Sequence, residues 1–160
     1  MKRAIICDID GVICPVKDRL HYIDNKRPKS FDGFSEAKNW NAFHESGCSS
    51  QRVEWLSKFV RNSSYNLRAL VLYVTGRNER FREKTRRWLS DNEFFANSES
   101  KLFMRPDDCR IPSYQLKAQI YDEHIKGKYD VLYAIDDNKD CQDMYKNQLG
   151  LNTFCVMEKY

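Results

Sequence analysis

Two aspartates, two residues apart, follow a short apolar run almost at the start of the chain. Asp8 and Asp10 come directly after residues 3–7, and Gly11 and Val12 follow them. Because alternate residues of a strand share one face, a continued strand would aim both carboxylates at one point. Glycine then permits a tight turn away from the sheet. Paired acids at the carboxyl end of a buried strand lie where open α/β sheets carry out chemistry, although a strand end with two solvated acids is the simpler alternative.

Two further groups of polar residues also follow strand-like apolar runs. They are Thr75-Gly76-Arg77, after residues 68–74, and Asp136-Asp137, after residues 129–135. The threonine hydroxyl can donate to a phosphate oxygen, but it can also cap a helix. Two adjacent acids repel each other without a cation, which favours metal binding. A helix cap formed by Asp137 or Asn138 is the alternative.

The order of the elements predicts the class of fold. Strands are predicted over residues 3–7, 68–74, 101–105, 129–135 and 152–156, and helices over about 51–62, 78–92, 112–125 and 139–148. Strands that alternate with helices predict an α/β fold, a Rossmann-like parallel sheet with helices on both faces. Right-handed crossovers bring all the carboxyl ends of the strands to one edge. The three polar groups would therefore meet there.

The least regular stretch covers residues 14–52, with turn signals throughout and one or two helical turns predicted over 36–45. Its aromatic residues are Tyr22, Phe31, Phe34, Trp40 and Phe43. A loop of this length inside a compact domain is normally functional. Packing of these aromatics on the core is a compatible alternative.

Length and composition limit the remaining possibilities. The 160 residues, 41% of them hydrophobic, predict one folded domain. No stretch approaches the roughly 18 consecutive apolar residues of a membrane span, and the first apolar run is too short for a signal peptide, so we expect a cytoplasmic protein. The six cysteines form no Cys-x-x-Cys pair, which argues against a zinc site. A net charge of +4 permits an anionic partner without requiring one.

Residues 8–12, Asp-Ile-Asp-Gly-Val, resemble the first motif of the haloacid dehalogenase superfamily, Asp-x-Asp-Gly-(Thr/Val). That superfamily consists mostly of magnesium-dependent phosphatases. Thr75, Lys117 and Asp136-Asp137 match the rest of its pattern in order. The resemblance implies the strand order 3-2-1-4-5 and a small flap or cap over the active site, which would correspond to residues of about 14–52. Taken alone, Lys117 reads as an exposed lysine on a helix.

The same resemblance implies a role for each matched residue. Asp8 would be the nucleophile that forms an aspartyl-phosphate, and Asp10 the general acid and then the base, with the raised pKa expected of a clustered carboxylate. Thr75 and Lys117 would hold the phosphate and the nucleophile. Mg²⁺ would be bound by Asp8, Asp136 and the backbone carbonyl of Asp10. Asp137 would complete this site by orienting a metal-bound water or a ligand.

Three longer stretches look like the phosphatase domain of phage-type polynucleotide kinase-phosphatase, which removes 3′-phosphates from nucleic-acid ends. They are Thr75-Gly76-Arg77 with its following basic helix, residues 102–106 with Arg110 and Lys117, and residues 134–138. By this resemblance the Gly76 N–H, Arg77 and Arg105 would bind substrate. Solvated surface arginines are the alternative for Arg77 and Arg105, and we favour that alternative for Arg110.

The chain also departs from that family. The 160 residues contain no Gly-x-x-x-x-Gly-Lys-(Ser/Thr) pattern, so we expect no P-loop kinase domain here. Residues 14–52 also form a longer segment than a minimal flap. The expected partner is a phosphorylated nucleic-acid end or a nucleotide. A 5′(3′)-nucleotidase acting on nucleoside monophosphates is the nearest alternative, and a non-catalytic binding module is a third. The sequence leaves the oligomeric state open.

Overall fold

A computed structural model describes residues 1–23, 39–95 and 100–156. Within them, five strands form one parallel sheet: β1 Lys2–Cys7, β2 Leu70–Asn78, β3 Lys101–Arg105, β4 Tyr129–Asp136 and β5 Thr153–Cys155. The α-helices are α1 Trp40–Gly47, α2 Glu54–Leu67, α3 Arg82–Asp91, α4 Ser113–Ile120 and α5 Lys139–Asp143. Shorter 3₁₀ turns cover Lys17–Tyr22 and Glu79–Phe81, and π-helical turns at Tyr121–Ile125 and Met144–Gln148 extend α4 and α5. The strand order is β3-β2-β1-β4-β5, as predicted.

Helices cover both faces of the sheet because alternate residues of β1 point in opposite directions. Ile5 and Cys7 belong to one buried cluster, which also contains side chains of α2 and α3. Ala4 and Ile6 belong to a second cluster with side chains of α4 and α5. The inner strands β1 and β2 and the second half of β4 are thus buried on both faces, which explains why their sequences are continuous apolar runs rather than alternating ones. The predicted α/β class is confirmed.

The central position of β1 decides which loops meet at the site. Its last residue, Cys7, is aligned with Tyr73 of β2 on one side and Ile135 of β4 on the other. One residue further along, the N–H of Asp8 donates to the carbonyl of Ile135 at 3.0 Å. The residues that follow β1, β2 and β4 therefore emerge side by side at one edge of the sheet.

One helix extends beyond its predicted limit. α2 continues through Ser63 and Ser64, where the sequence predicts a turn, and ends only at Leu67. The next residue, Arg68, has a left-handed backbone with φ of 49°. The hydroxyl of Ser64 donates to the carbonyl of Ala69, and the N–H of Ala69 donates back to the carbonyl of Ser64. Serine here closes the helix end rather than breaking the helix, which a composition-based prediction does not distinguish.

The described parts of the long insertion contain the 3₁₀ turn and α1. Asn39 caps α1 by accepting the N–H of Ala42 at 3.0 Å, and its own N–H donates to the carbonyl of Tyr22 at 2.8 Å. Phe31 and Phe34, for which an aromatic flap is predicted, lie in residues 24–38, outside the described residues. None of the described helices has the combination of length and apolar character that crossing a membrane requires.

Candidate active site

The carboxyl ends of β1 and β4 bring three acids into one cluster. Carboxylate oxygens of Asp8, Asp136 and Asp137 all lie within 4.8 Å of one another. The first two are buried and Asp137 is partly buried. The cap of α5 is Asn138, whose side chain accepts the N–H of Cys141, so the two neighbouring acids are not used as a helix cap. The cluster contains three of the four residues for which the sequence predicts a metal role.

A buried lysine lies between two of these acids. The Nζ atom of Lys117, on α4, is 2.7 Å from Oδ2 of Asp136 and 3.1 Å from Oδ2 of Asp8. Only 2% of its side chain is exposed. Burial opposes the charge of the lysine, but the two carboxylates outweigh burial and hold its pKa well above the ordinary value. Lys117 is therefore a cation in contact with the predicted nucleophile and not a surface lysine.

The acids of the cluster outnumber its cations. Burial raises the pKa of Asp8 well above its ordinary value, and the neighbouring acids add to this effect while Lys117 opposes it. Burial and the charge of Asp136 raise the pKa of Asp137 to about 6. With all three acids ionised, one lysine leaves two negative charges unbalanced, which is the situation in which carboxylates resist ionisation.

This cluster fits a divalent cation. Oδ1 of Asp8 is buried and has no hydrogen-bond partner among the described residues. Such an atom destabilises the folded protein unless an ion or a water molecule binds it. Carboxylate oxygens are the hard ligands that Mg²⁺ prefers, and two positive charges would balance the cluster. The metal role expected for Asp10 concerns its backbone carbonyl and stays a prediction.

Gly11 is required by the approach of the first loop to this cluster. Its φ is +85°, a backbone conformation that favours glycine, and a Cβ atom at this position would collide with the carboxylate of Asp137. The glycine of the Asp-x-Asp-Gly motif therefore allows the chain to turn directly beside the acids. A larger residue would displace Asp137.

Asp10 lies in a different environment, where two arginines hold its carboxylate. Nε of Arg77 donates to Oδ2 at 2.8 Å, and Nη2 donates to Oδ1 at 2.7 Å. Nη2 of Arg19 donates to the same Oδ1 at 2.8 Å. A bidentate guanidinium contact fixes the plane of a carboxylate as well as its position. Asp10 is thus held in one orientation at the edge of the cavity.

Arg77 is buried behind Asp10 and is not a solvated surface arginine. Its side chain is fully buried, and its Nη1 donates to the hydroxyl of Thr85 at 3.4 Å. It is absent from the described residues that line the cavity above the site. The guanidinium of Arg77 is directed at Asp10 from within the protein, and the expectation that Arg77 also binds substrate stays a prediction.

Two residues of the insertion complete the surroundings of Asp10, and no pattern in the sequence pointed to them. Arg19 is only 3% exposed, and its Nη1 donates to the carbonyl of Phe43 at 2.8 Å. Nδ1 of His44 lies 3.9 Å from Oδ2 of Asp10. Burial lowers the pKa of His44 to about 4, so its ring is neutral at pH 7. Neither residue belongs to a motif, and arginines in irregular segments are mostly exposed.

The expectation of a raised pKa for Asp10 is wrong. Burial alone would raise it, but the charges and hydrogen bonds of Arg77, with the charge of Arg19, outweigh burial and hold the pKa well below its usual range. The error arises because the nearest charges to Asp10 are guanidiniums, whereas the nearest charges to Asp8 include two other carboxylates. Two acids separated by one residue therefore have opposite shifts.

Thr75 and Gly76 line the cavity, as expected of phosphate ligands. β2 continues past both residues, so Thr75 lies inside a strand and does not cap a helix. Its Oγ1 accepts the N–H of Arg77 at 3.2 Å, which leaves the hydroxyl hydrogen free to donate elsewhere. A contact of these two groups with phosphate stays a prediction.

Arg105 also lines the cavity, at the end of β3. Its Nε donates to the carbonyl of Gly76 at 3.2 Å, its Nη1 to the carbonyl of Ile111 at 2.7 Å, and its Nη2 to Oγ of Ser113 at 3.1 Å. The guanidinium thus ties the start of α4 and the preceding loop to β2. Arg105 supports the wall of the site, and its predicted role in substrate binding is untested.

The cavity above these residues has a volume of about 1240 Å³ and two kinds of lining. The residues contributed by the insertion, here called the aromatic wall, are mainly apolar: Val16, Leu20, Ile23, Trp40, Phe43 and His44. The ends of β2 and β3 and their loops contribute a second group, here called the arginine wall: Asn78, Arg80, Arg105, Arg110 and Ser113, together with Asp107, Cys109, Ile111 and Pro112. Asp8, Asp10 and Asp137 also line this cavity.

Similarity to known proteins extends along the whole chain. A protein of Autographa californica nuclear polyhedrosis virus, assigned as a bifunctional polynucleotide kinase/RNA ligase, is 27% identical over 159 residues. The match covers 99% of this chain but only 20% of the viral protein. The chain therefore spans about one fifth of the length of this relative.

Two solved structures contain a chain with the same fold. One is described as the Pnkp1/Rnl/Hen1 RNA repair complex, with a TM-score of 0.71, and the other as the Pnkp1/Rnl/Hen1 complex, with a TM-score of 0.74. Each is 22% identical and covers 98% of this chain, but 42% and 46% of the respective solved chains. At this level of identity the likeness concerns the fold alone.

The decisive similarity is to a protein family. The model of the polynucleotide kinase PNKP phosphatase domain, a branch of the haloacid dehalogenase superfamily, matches residues 2–159. The resemblance carried by the Asp8 motif, Lys117 and Asp136-Asp137 is thereby confirmed. The chain belongs to the PNKP phosphatase-domain family, and it is a phosphatase of the haloacid dehalogenase type.

Proposed function

We propose that the protein is a magnesium-dependent phosphomonoesterase that removes 3′-phosphates from nucleic-acid ends through a phosphorylated aspartate. The observation that carries the proposal is the placement of two differently held acids at one sheet edge. Asp8 contacts the cation of Lys117 and belongs to the acid cluster, whereas Asp10 is held by Arg77 and Arg19. Both acids line the same cavity, so a bound phosphate can meet both of them.

In the first step, an oxygen of Asp8 attacks the phosphorus of the substrate. A bond forms between Asp8 and phosphorus while the bond from phosphorus to the 3′-oxygen breaks, and Asp10 gives a proton to the departing oxygen. Lys117, 3.1 Å from Asp8, reduces the repulsion between an anionic nucleophile and an anionic phosphate. Thr75 and the N–H of Gly76 would donate to the phosphate oxygens.

In the second step, water attacks the phosphorus of the aspartyl-phosphate. The carboxylate of Asp10 takes a proton from this water, and the bond between phosphorus and Asp8 breaks. Inorganic phosphate leaves and both acids return to their starting states. The ionised form of Asp10, which Arg77 and Arg19 favour, is the form that this base step requires.

The acid step needs Asp10 to be protonated. A phosphate dianion bound beside Asp10 adds negative charge and opposes the effect of the two arginines, so we expect the substrate to raise the pKa of Asp10. Two guanidiniums around one carboxylate also leave one positive charge in excess, which suits an anionic substrate.

Mg²⁺ would be held by Asp8, Asp136 and Asp137, with the backbone carbonyl of Asp10 as a further ligand by family resemblance. When bound, the ion supplies stabilisation of the negative charge on the phosphoryl oxygens. Lys117, which contacts Asp8 and Asp136, keeps these two carboxylates oriented toward one another.

The lining of the cavity supports a nucleic-acid end over a mononucleotide. Its volume of about 1240 Å³ exceeds the range of roughly 300–1,000 Å³ that is typical of small-molecule sites. The arginine wall contains three arginines and one acid, Asp107, which is paired with Arg80. Its excess of positive charge suits the further phosphates of a nucleic-acid chain. The aromatic wall keeps the nucleotidase as the second candidate, because it suits one base equally well.

One comparison tests the proposal. Phosphate release is measured with Mg²⁺ from a 3′-phosphorylated oligonucleotide, its 5′-phosphorylated counterpart, and the matching nucleoside 3′- and 5′-monophosphates. We expect the highest kcat/KM for the 3′-phosphorylated oligonucleotide, and no release by Asp8→Asn, which controls for contaminating phosphatases. The comparison is repeated over a series of salt concentrations. A preference for a monophosphate at every salt concentration would favour the nucleotidase instead, and a preference for the 5′-phosphorylated oligonucleotide would overturn the assignment as a 3′-phosphatase.

A further inference from the structure

One large aromatic ring of the cavity is substantially exposed. Trp40 is the first residue of α1, lines the cavity, and has 45% of its surface exposed. By contrast, Phe43 and His44, which also line the cavity from α1, are buried. An exposed indole inside a cavity is available to a ligand, whereas buried rings mainly support the structure.

The indole is held by two neighbouring rings. His44 stacks with it, with ring centres 5.7 Å apart and ring planes inclined by 28°, and Phe43 meets it edge-on at 5.6 Å. Both contacts arise within α1, because residues three and four apart lie on one face of a helix. Trp40 is therefore an exposed ring with a supported position, which lowers the entropy lost when a ligand packs on it.

The same helix is connected to the reacting centre. The carbonyl of Phe43 accepts a hydrogen bond from Arg19 at 2.8 Å, and Arg19 in turn donates to Asp10 at 2.8 Å. His44, one helical turn from Trp40, lies 3.9 Å from Asp10. Because the ring of His44 contacts the indole on one side and lies beside Asp10 on the other, one nucleotide can reach both the indole and Asp10.

We propose that Trp40 is the stacking platform for the base of the terminal nucleotide, whose 3′-phosphate reacts with Asp8. This inference rests on the proposed function and adds to it the position of the base. Bases of every kind have a flat apolar face, so a stacking contact requires a base without selecting its identity. Of the aromatic residues singled out in the sequence, Trp40 alone is both described and exposed in the cavity.

The test compares two 3′-phosphorylated oligonucleotides that differ only at the last residue, which carries a base in one and is abasic in the other. Three variants are used: Trp40→Ala, Trp40→Phe, and Trp55→Ala as the matched control. Trp55 is also exposed, at 65%, but it lies on α2 and is not among the cavity-lining residues of the described chain.

We expect Trp40→Ala to lower kcat/KM for the base-bearing end by about fivefold or more, the lower end of base–aromatic stacking. Its effect on the abasic end should stay within about twofold, since that end has nothing to stack. Trp40→Phe keeps a ring and should lose less activity. Trp55→Ala should change the reaction of neither oligonucleotide, and it should hydrolyse p-nitrophenyl phosphate like the wild type.

Equal losses on the two ends would show a merely structural role for Trp40, and no loss on either would show that it does not contact the substrate. Both results overturn the inference while leaving the phosphatase activity established. If the wild type releases no phosphate from either oligonucleotide, the proposed function fails instead. The same variants are then compared on a nucleoside 3′-monophosphate and the corresponding base-free sugar phosphate, where loss confined to the nucleotide supports Trp40 as a stacking residue.

Discussion

The contact between Asp10 and Arg77 provides a quantitative test of how the site is held together. Asp10→Asn keeps the shape of the side chain but removes its charge, which leaves Arg77 and Arg19 buried side by side without a counterion. Arg77→Met removes one guanidinium and leaves Asp10 paired with Arg19. The two substitutions are measured separately and together, because only the combination isolates the energy of the pair.

The magnitude follows from burial and geometry. The side chain of Arg77 is fully buried and that of Asp10 is 14% exposed, with both of their hydrogen bonds at 2.7–2.8 Å. Removal of one partner from a buried ion pair costs about 3–5 kcal/mol. We expect Asp10→Asn at the upper end of that range, since two cations lose their partner, and Arg77→Met at the lower end. The free energy of unfolding that the double variant loses should be smaller, by at least about 2 kcal/mol, than the sum of the losses in the two single variants.

Urea unfolding at pH 7, followed by tryptophan fluorescence, measures the free energy of unfolding for the four proteins. A matched control is the pair of Lys139 and Asp143 on α5, which are 2.6 Å apart but exposed to solvent. Its corresponding cycle, with Lys139→Met and Asp143→Asn, should show no measurable coupling. If the effects of Asp10→Asn and Arg77→Met simply add, the carboxylate is not held by Arg77 as the structure indicates.

Three further results are expected. EDTA should abolish phosphatase activity, and added Mg²⁺ should restore it. Mg²⁺ should also raise the free energy of unfolding of the wild type but not that of Asp136→Asn. Full activity after rigorous chelation would contradict the metal assignment. Asp10→Asn should slow hydrolysis of an alkyl phosphate more than that of p-nitrophenyl phosphate, whose leaving group needs no proton, and equal slowing would argue against general-acid catalysis. The folded pKa of Asp137, about 6, lies above its unfolded value, so metal-free protein should lose stability as pH rises from about 4 to 6. Asp137→Asn should show a smaller loss, and the part that remains comes from Asp8, whose pKa is also raised.

Much of the fold could be predicted because its signals are local. The runs that form β1, β2 and β4 are continuous and mainly apolar, and each leads into polar residues whose chemistry differs sharply from that run. Parallel topology then brings Asp8, Thr75 and Asp136 to one edge without any knowledge of side-chain contacts. The cluster of Asp8, Asp136 and Asp137 follows from topology, and the structure places its members within 4.8 Å of one another.

The surroundings of Asp10 could not be predicted, because they depend on contacts distant in the sequence. Arg77 is 67 residues from Asp10, and Arg19 reaches it from an irregular segment. Nothing in the local sequence shows that an arginine will be buried, since this residue is usually exposed. Among the aromatics the problem is similar: Trp40 lines the cavity whereas Tyr22 is absent from the described lining, although both lie in the same insertion.

The pKa values of Asp8 and Asp10 are shifted in opposite directions, which explains how two acids with one residue between them can have different chemical roles. Burial and the neighbouring acids raise the pKa of Asp8. A bound divalent cation would oppose both effects, and Asp8 would then be ionised, as a nucleophile must be. The arginines that lower the pKa of Asp10 would be opposed by a phosphate dianion, which favours the protonated form that a general acid needs. We therefore expect each acid to reach its reactive form only in the complex with metal and substrate. Once the 3′-hydroxyl has left with its proton, Arg77 and Arg19 keep Asp10 ionised, as the base step requires.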